Sequence, residues 1–206
     1  MSLFLLSDTH FEHANIIKYC DRPFSSASEM DSVMISNWNE RVSYDDTVLF
    51  GGDIAMARGE IAIEYAQKLN GSLVLLDGNH DDVDESEAPF PILKSYYFTY
   101  EYEEGTEYDF YYTHWPLMGR SIREDSRDAP KWSKPPEWFD GWYLHGHVHN
   151  NDVDNYPFVN PNEQMVNLGV ELLDFTPIEI EELIRILDTG GRYETVSDVP
   201  EDMYPF

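Results

Sequence analysis

Apolar residues along this chain arrive in short runs that stop abruptly at Asp, His or Gly. Leu3–Ser7, Thr47–Phe50, Leu73–Leu76, Asp109–Thr113 and Trp142–Leu144 each read as a buried strand, being short, apolar and closed by turn residues. Helical spacing falls between them. Ser26-Ala27-Ser28-Glu29 is a capping-box sequence ahead of Met30, Val33, Met34, Asn37 and Trp38. Ile61, Tyr65, Ala66 and Leu69 form an apolar face that ends at Asn70-Gly71, a helix C-terminal signal. Thr176-Pro177-Ile178-Glu179 predicts a third helix with Pro at its first position and Ile180, Leu183, Ile184 and Leu187 facing inward.

The second half is dominated by strands. Tyr96–Glu103 and Glu107–Thr113 flank Glu104-Gly105-Thr106 and predict a hairpin, while Gln164–Leu168 and Val170–Asp174 predict a bent strand pair. Alternation of strands and helices followed by strands predicts an α/β fold, a two-sheet sandwich with outer helices, as a single domain over residues 1–206. Gly119–Asp140 has three prolines and no period, and predicts a long loop of the functional kind. The stretch 164–206 holds the strand pair, the helix and an acidic tail.

Composition narrows the class. A chain that is 42% hydrophobic and 15% aromatic has material for one sizeable core, which excludes wholesale disorder. No apolar run approaches a membrane span, and Met1-Ser2 with the brief Leu3–Leu6 run makes no secretory signal. The single cysteine, Cys20, cannot close an intrachain disulfide, so a soluble cytoplasmic protein with no membrane partner is expected. The formal net charge of −27 leaves too few cations to displace counterions along a duplex, which excludes a long nucleic-acid groove. An acidic excess of this size suits a salt-rich habitat, where self-repulsion is screened within about 3 Å at ~1 M salt.

The seven histidines change the picture most. Asp8-Thr9-His10 follows the first predicted strand, Gly51-Gly52-Asp53 the second, and Gly78-Asn79-His80-Asp81 the third. Thr113-His114-Trp115 follows the hairpin and Gly146-His147-Val148-His149 the last strand, so each cluster lies where open α/β sheets place ligands. In an extended segment residues i and i+2 share a side, which would aim Asp8 with His10, and His147 with His149, at one site. Carboxylates and imidazoles without thiolates suit Mn²⁺, Fe²⁺ or Zn²⁺. A lone His or Asp after a strand is ordinarily a solvated loop residue. Five such clusters in order are not.

These motifs resemble the calcineurin-like metallophosphoesterase superfamily over about two thirds of the chain, from Asp8 to His149. The opening from Ser7-Asp8-Thr9-His10-Phe11-Glu12-His13 to Arg22-Pro23-Phe24 resembles a small bacterial and phage branch of it. The resemblance implies a four-layer α/β/β/α sandwich with two divalent cations, manganese foremost and iron, nickel, zinc or magnesium as alternatives. It implies that Asp8, His10 and His149 hold one cation, that Asp53 bridges, and that Asn79, His114 and His147 complete the second site. His80 would stand beside the leaving group as its proton donor, with Asp81 orienting it or capping a helix. Attack would come from a hydroxide bridging the cations. The pair of cations would outweigh Asp8 and Asp53 and attract phosphate despite the acidic surface.

His13 and Arg22 are candidates for substrate phosphate, Arg for its bidentate grip. His145 reads as a buried structural histidine, Trp142 as core, and Trp132 and Trp138 as core or as stacking surfaces for a base. Protein phosphatases of the superfamily follow the bridging Asp closely with Asp-Arg-Gly. Here Ile54-Ala55-Met56-Ala57 follows Asp53, which points away from that activity. The expected function is hydrolysis of phosphodiesters or phosphomonoesters in small, nucleotide-like substrates. The alternatives are a nuclease on short single strands and a non-catalytic scaffold on the same fold. No Gly-x-Ser-x-Gly, P-loop or His-Glu-x-x-His motif supports another hydrolase chemistry.

Overall fold

A computed structural model describes residues 1–56, 59–117 and 133–200. Fourteen elements are used below: β1 (Leu3–Leu6), α1 (Ile16–Tyr19), α2 (Ala27–Arg41), β2 (Thr47–Phe50), α3 (Gly59–Ala66), β3 (Ser72–Leu76), β4 (Ile92–Leu93), β5 (Tyr96–Glu103), β6 (Thr106–Tyr112), β7 (Trp142–His145), β8 (Val159–Asn160), β9 (Met165–Asn167), β10 (Ile178–Glu179) and α4 (Ile180–Asp188). They build a mixed α/β architecture of two five-stranded sheets, ordered β10-β1-β2-β3-β4 and β5-β6-β7-β9-β8. No helix among the described residues is long and apolar enough to cross a membrane.

Register explains why the loops converge. In the first sheet β1, β2 and β3 run parallel and nearly flush, Leu6 opposite Phe50 and Phe50 opposite Leu75. In the second, β6, β7 and β9 run parallel, with Tyr112 opposite Leu144 and His145 opposite Asn167. Six strands therefore release their C-terminal loops at two sheet edges. The edges are stitched together where Ser7 N donates to Leu168 O at 2.9 Å and Val170 N to Ser7 O at 3.1 Å. Of the parallel strands, β1, β2, β7 and β9 are buried on both faces, as their continuous apolar runs require. One core joins the sheets: Leu5, Phe50 and Leu75 meet Phe110, Leu144, Phe158 and Val166, and Tyr112 Oη donates across it to Leu6 O at 2.8 Å.

The strand runs and the hairpin lie where the sequence pattern puts them. The capping box of α2 forms by half: Ser26 Oγ accepts from Glu29 N at 3.2 Å, but the Glu29 carboxylate turns back to Ser25 N, one residue earlier. Two expectations are corrected. The third helix does not start at Pro177; Ile178–Glu179 pair antiparallel with Phe4 and Leu5, because the open edge of β1 offers unpaired backbone groups. The helix begins at Ile180 behind a reciprocal Glu179–Glu182 capping box, with Leu183, Ile184 and Leu187 buried as the periodicity requires. The second correction concerns Val170–Asp174, where Val170–Leu173 is a 3₁₀ turn rather than a strand, closed by left-handed Asp174 (φ 49°). Of the loop expected at Gly119–Asp140, residues 133–140 carry no strand or α-helix and the remainder lies outside the described residues, Trp132 included.

Candidate metal centre

Every cluster singled out in the sequence arrives at the stitched edge. Ser7-Asp8 leaves β1, Asp53 follows β2, Asn79-His80 follows β3, His114 follows β6 and His147–His149 follow β7. Asp8, His10, Asp53, His114 and His149 are buried, whereas His13, His80 and His147 are half-buried.

The donors fall into two adjoining groups. Asp8, His10 and His149 form a trio whose ligand atoms lie within 4.8 Å of one another, and so do Asp8, Asp53 and His114. Asp53 Oδ2 stands between the halves, 3.4 Å from His10 Nε2 and 3.5 Å from His114 Nε2. On the far side His147 Nδ1 lies 3.1 Å from His114 Nε2, and both face Asn79 Oδ1, at 2.8 and 2.9 Å. His114 Nδ1 is 2.9 Å from Gly51 O, which leaves Nε2 to face the cluster. Among the described residues, neither ring nitrogen of buried His10 has a hydrogen-bond partner. An orphaned buried imidazole, beside carboxylate and amide oxygens with no competing donor, is the environment a divalent cation satisfies.

The backbone is strained in the same place. Asp8 (φ 63°), His10 (φ 51°), Asp53 (φ 58°), His147 (φ 72°) and His149 (φ 52°) all sit in the left-handed region. Each such residue costs on the order of 1 kcal/mol or more, a burden that clusters where function holds it. This also corrects the extended-segment expectation. Asp8 with His10, and His147 with His149, do reach one site, but through left-handed turns and not by the alternation of a strand. Two glycines make the approach possible. Gly52 (φ 95°) turns the chain after β2 with His114 Nδ1 only 2.7 Å from where a Cβ would be. At Gly146 a Cβ would overlap Ser7 Oγ and Asp8 Oδ2. Gly146→Ala is therefore expected to displace Asp8 and lower stability by about 1–3 kcal/mol. An unchanged urea midpoint with unchanged metal binding would contradict this.

Burial sets most protonation states. Desolvation, with His114 behind it, pushes His147 down to about 3, and desolvation takes His10 to about 3 and His145 to about 4. These rings are neutral at neutral pH and offer lone pairs. Burial also opposes charge on His149, but Asp8, Cys20 and Glu171 outweigh it and lift the ring to about 11. Desolvation and then the Asp53 charge raise Asp81 to about 7. The pH dependence of the metal-free protein follows. Below pH 6.5 unfolding lets His10, His145 and His147 take up protons, so stability falls from pH 6.5 toward 4, the raised carboxyls of Asp8 and Asp81 offsetting part of the loss. Above pH 6.5 folded His149 keeps a proton that the unfolded chain releases, so stability falls again toward pH 11. Urea midpoints are expected to peak near pH 6–7; a steady rise from pH 5 to 9 would refute that balance.

Two expectations shift. Arg22, expected to face substrate phosphate, has its side chain fully buried beneath the site, donating to Glu171, Thr9 O and Asp8 O. The reason is steric and electrostatic, since a buried guanidinium must spend its N–H groups on acceptors. Asp81 neither orients the His80 ring nor caps a helix. Its carboxylate accepts from Asp53 N, Ile54 N and Gly78 N at 2.7, 3.0 and 2.9 Å, and so clamps the Asp53 loop to the Gly78 loop. Cys20 is buried within reach of His149 and Glu171. His13 does border the cluster, 5.5 Å from His10 between ring centroids. His80 stands 5.4 Å from His10 by the same measure, its backbone N–H held by Asp53 Oδ1 at 2.8 Å. His145 is a buried histidine of β7, Trp142 packs against the core, and Trp138 is exposed, edge-on to Tyr97.

Glu171 is the residue the sequence concealed. Its carboxylate accepts from His149 Nδ1 at 2.9 Å, and Arg22 with His149 holds it, against burial, down to about 2. No motif surrounds it, and its 3₁₀ turn reads as strand.

No family model matches the chain. It is 35% identical over 199 residues to the uncharacterized protein MJ1445 of Methanocaldococcus jannaschii, across 96% of this chain and 97% of that one. Among solved structures it is similar to AQ665 from Aquifex aeolicus, a protein of unknown function, with TM-score 0.60 and 24% identity over 89% of this chain and 98% of that one. That likeness is one of fold.

Proposed function

The chain belongs to the family of MJ1445, and we propose that it is a metal-dependent phosphoesterase built on the four-layer sandwich of the calcineurin-like metallophosphoesterases. The observation that carries this reading is the cluster itself: seven donor side chains from five strand ends, five of them on strained backbone, one of them a histidine with no hydrogen-bond partner for either nitrogen among the described residues. Asp8, His10 and His149 would hold one divalent cation, Asn79, His114 and His147 the other, with Asp53 shared. Two such cations supply Lewis-acid polarisation of a phosphoryl oxygen and an activated water.

The remaining work belongs to the chain. Neutral His10 and His147 present lone pairs without first having to lose a proton. Asp81 fixes where Asp53 stands, and Asp8 accepts from His147 N at 3.1 and 3.0 Å, which locks the two strand ends together. His80, half-buried at the rim, protonates the departing oxygen, and His13 contacts the phosphate from the opposite loop. With Arg22 sequestered below, no guanidinium from this motif is left to grip a polymer backbone, which favours small phosphate esters.

The test is a stripped preparation reloaded with Mn²⁺, Ni²⁺, Zn²⁺ or Mg²⁺ and assayed on mono- and bis-p-nitrophenyl phosphate. Metal-dependent turnover is expected, with preference for the second substrate marking a diesterase. Two bound cations without turnover on either compound would favour the scaffold alternative, and no bound cation would overturn the reading.

A further inference from the structure

Beneath the first trio runs a continuous set of buried hydrogen bonds that ends on His149. Glu171 Oε1 accepts from His149 Nδ1 at 2.9 Å and from Arg22 Nε and Nη2 at 2.9 and 2.7 Å. The same guanidinium donates to Thr9 O at 2.7 Å and Asp8 O at 2.8 Å. Side-chain exposure is 0% for Arg22 and 3% for Glu171, so neither group meets solvent. With Nδ1 donating to a carboxylate, His149 can offer only Nε2, which lies 4.0 Å from Asp8 Oδ1 and on the side where the His10 ring stacks at 5.0 Å.

We propose that Arg22 and Glu171 form a positioning pair for the cation held by Asp8, His10 and His149. Glu171 fixes the tautomer and aim of His149, and Arg22 fixes Glu171 against the Asp8-Thr9 backbone, so one guanidinium sets the geometry of two ligands drawn from opposite sheets. The proposal rests on the two-cation reading above. A neighbouring grouping, Cys20 with His149 and Glu171, also has donor atoms close enough for a cation. Three N–H donors already converge on Glu171 Oε1, while buried Oε2 has no hydrogen-bond partner among the described residues, and the Arg22 charge beside the carboxylate opposes a positive ion there.

The experiment is Mn²⁺ titration, by calorimetry and by electron paramagnetic resonance, of the wild type, Glu171→Gln, and the paired Arg22→Met/Glu171→Met. The paired variant replaces both charges with apolar groups and avoids stranding one of them. Wild type is expected to bind two ions and give a spin-coupled signal. Both variants are expected to lose about 10–100-fold in affinity for one ion while keeping the other, and so to show isolated Mn²⁺. Independently of any variant, nitrogen NMR of the Zn²⁺-loaded wild type is expected to show His149 protonated on Nδ1 and coordinated through Nε2. Coordination through Nδ1, or wild-type affinity at both sites in either variant, would overturn the pair. A wild type that binds no cation would instead refute the reading on which the pair stands.

Discussion

Asparagine in place of Asp53 is expected to lower phosphoesterase turnover by on the order of 10³-fold or more, equivalent to ~4 kcal/mol of lost transition-state stabilisation. The shape of the side chain is nearly preserved, and an amide oxygen can still accept from His80 N where Oδ1 does now. The charge is what disappears. Oδ2 is the oxygen that stands between the two halves, within 3.4 Å of His10 Nε2 and 3.5 Å of His114 Nε2. An amide there presents either a weak neutral ligand or an N–H group aimed at the cations, so both halves lose affinity together. Wild-type Asp53 is well prepared for the role: burial opposes its ionisation, but His114 and His10 more than compensate and keep its carboxyl below the usual range. The measurement is metal content by mass spectrometry beside kcat on bis-p-nitrophenyl phosphate. The companion Asn79→Ala is expected to lose the second cation more than the first, since Asn79 Oδ1 faces His114 and His147. Wild-type turnover in both variants would end the two-cation reading.

What the sequence could and could not disclose about this site has a physical pattern. Short apolar runs ending in Asp, Asn or His announced the strand ends, because parallel strands buried on both faces need uninterrupted apolar residues and their loops alone can carry polar ones. The residues that converge at the strand ends were therefore legible as a set. Their local geometry was not: Asp8 and His10 converge through left-handed φ values that no propensity assigns to Asp or His in such numbers, and tertiary contacts alone hold them there. Arg22 looked like a phosphate-binding residue because it is cationic and near a motif. Only its burial against Glu171, 149 positions away, shows that its N–H groups are spent. Glu171 itself was hidden because Val170–Leu173 has the apolar content of a strand and folds as a 3₁₀ turn where β9 crosses to Ser7. Ile178–Glu179 misled for a related reason: the pattern cannot say that β1 will be short of a partner on its outer edge.

Alanine in place of His80 is expected to separate binding from chemistry, retaining two cations while slowing turnover by about 10²–10⁴-fold for substrates whose leaving group needs a proton. His80 stands outside both donor trios, and what ties it to the cluster is its backbone N–H on Asp53 Oδ1, which alanine retains. Asp81 leaves the ring free as well, since its oxygens are committed to Asp53 N, Ile54 N and Gly78 N. The ring is half-buried at the rim, 5.4 Å from His10, close enough to reach an ester oxygen bound over the cluster yet open to solvent for reprotonation. Because the group removed is an acid, the deficit must depend on the leaving group. It should be slight with p-nitrophenolate, which departs as an anion unaided, and large with alkyl or unsubstituted phenyl esters. Rates across a series of substituted phenyl esters are expected to fall more steeply with leaving-group pKa in the variant than in the wild type. Equal slopes would remove His80 from the acid role, and loss of either cation would make it a ligand instead.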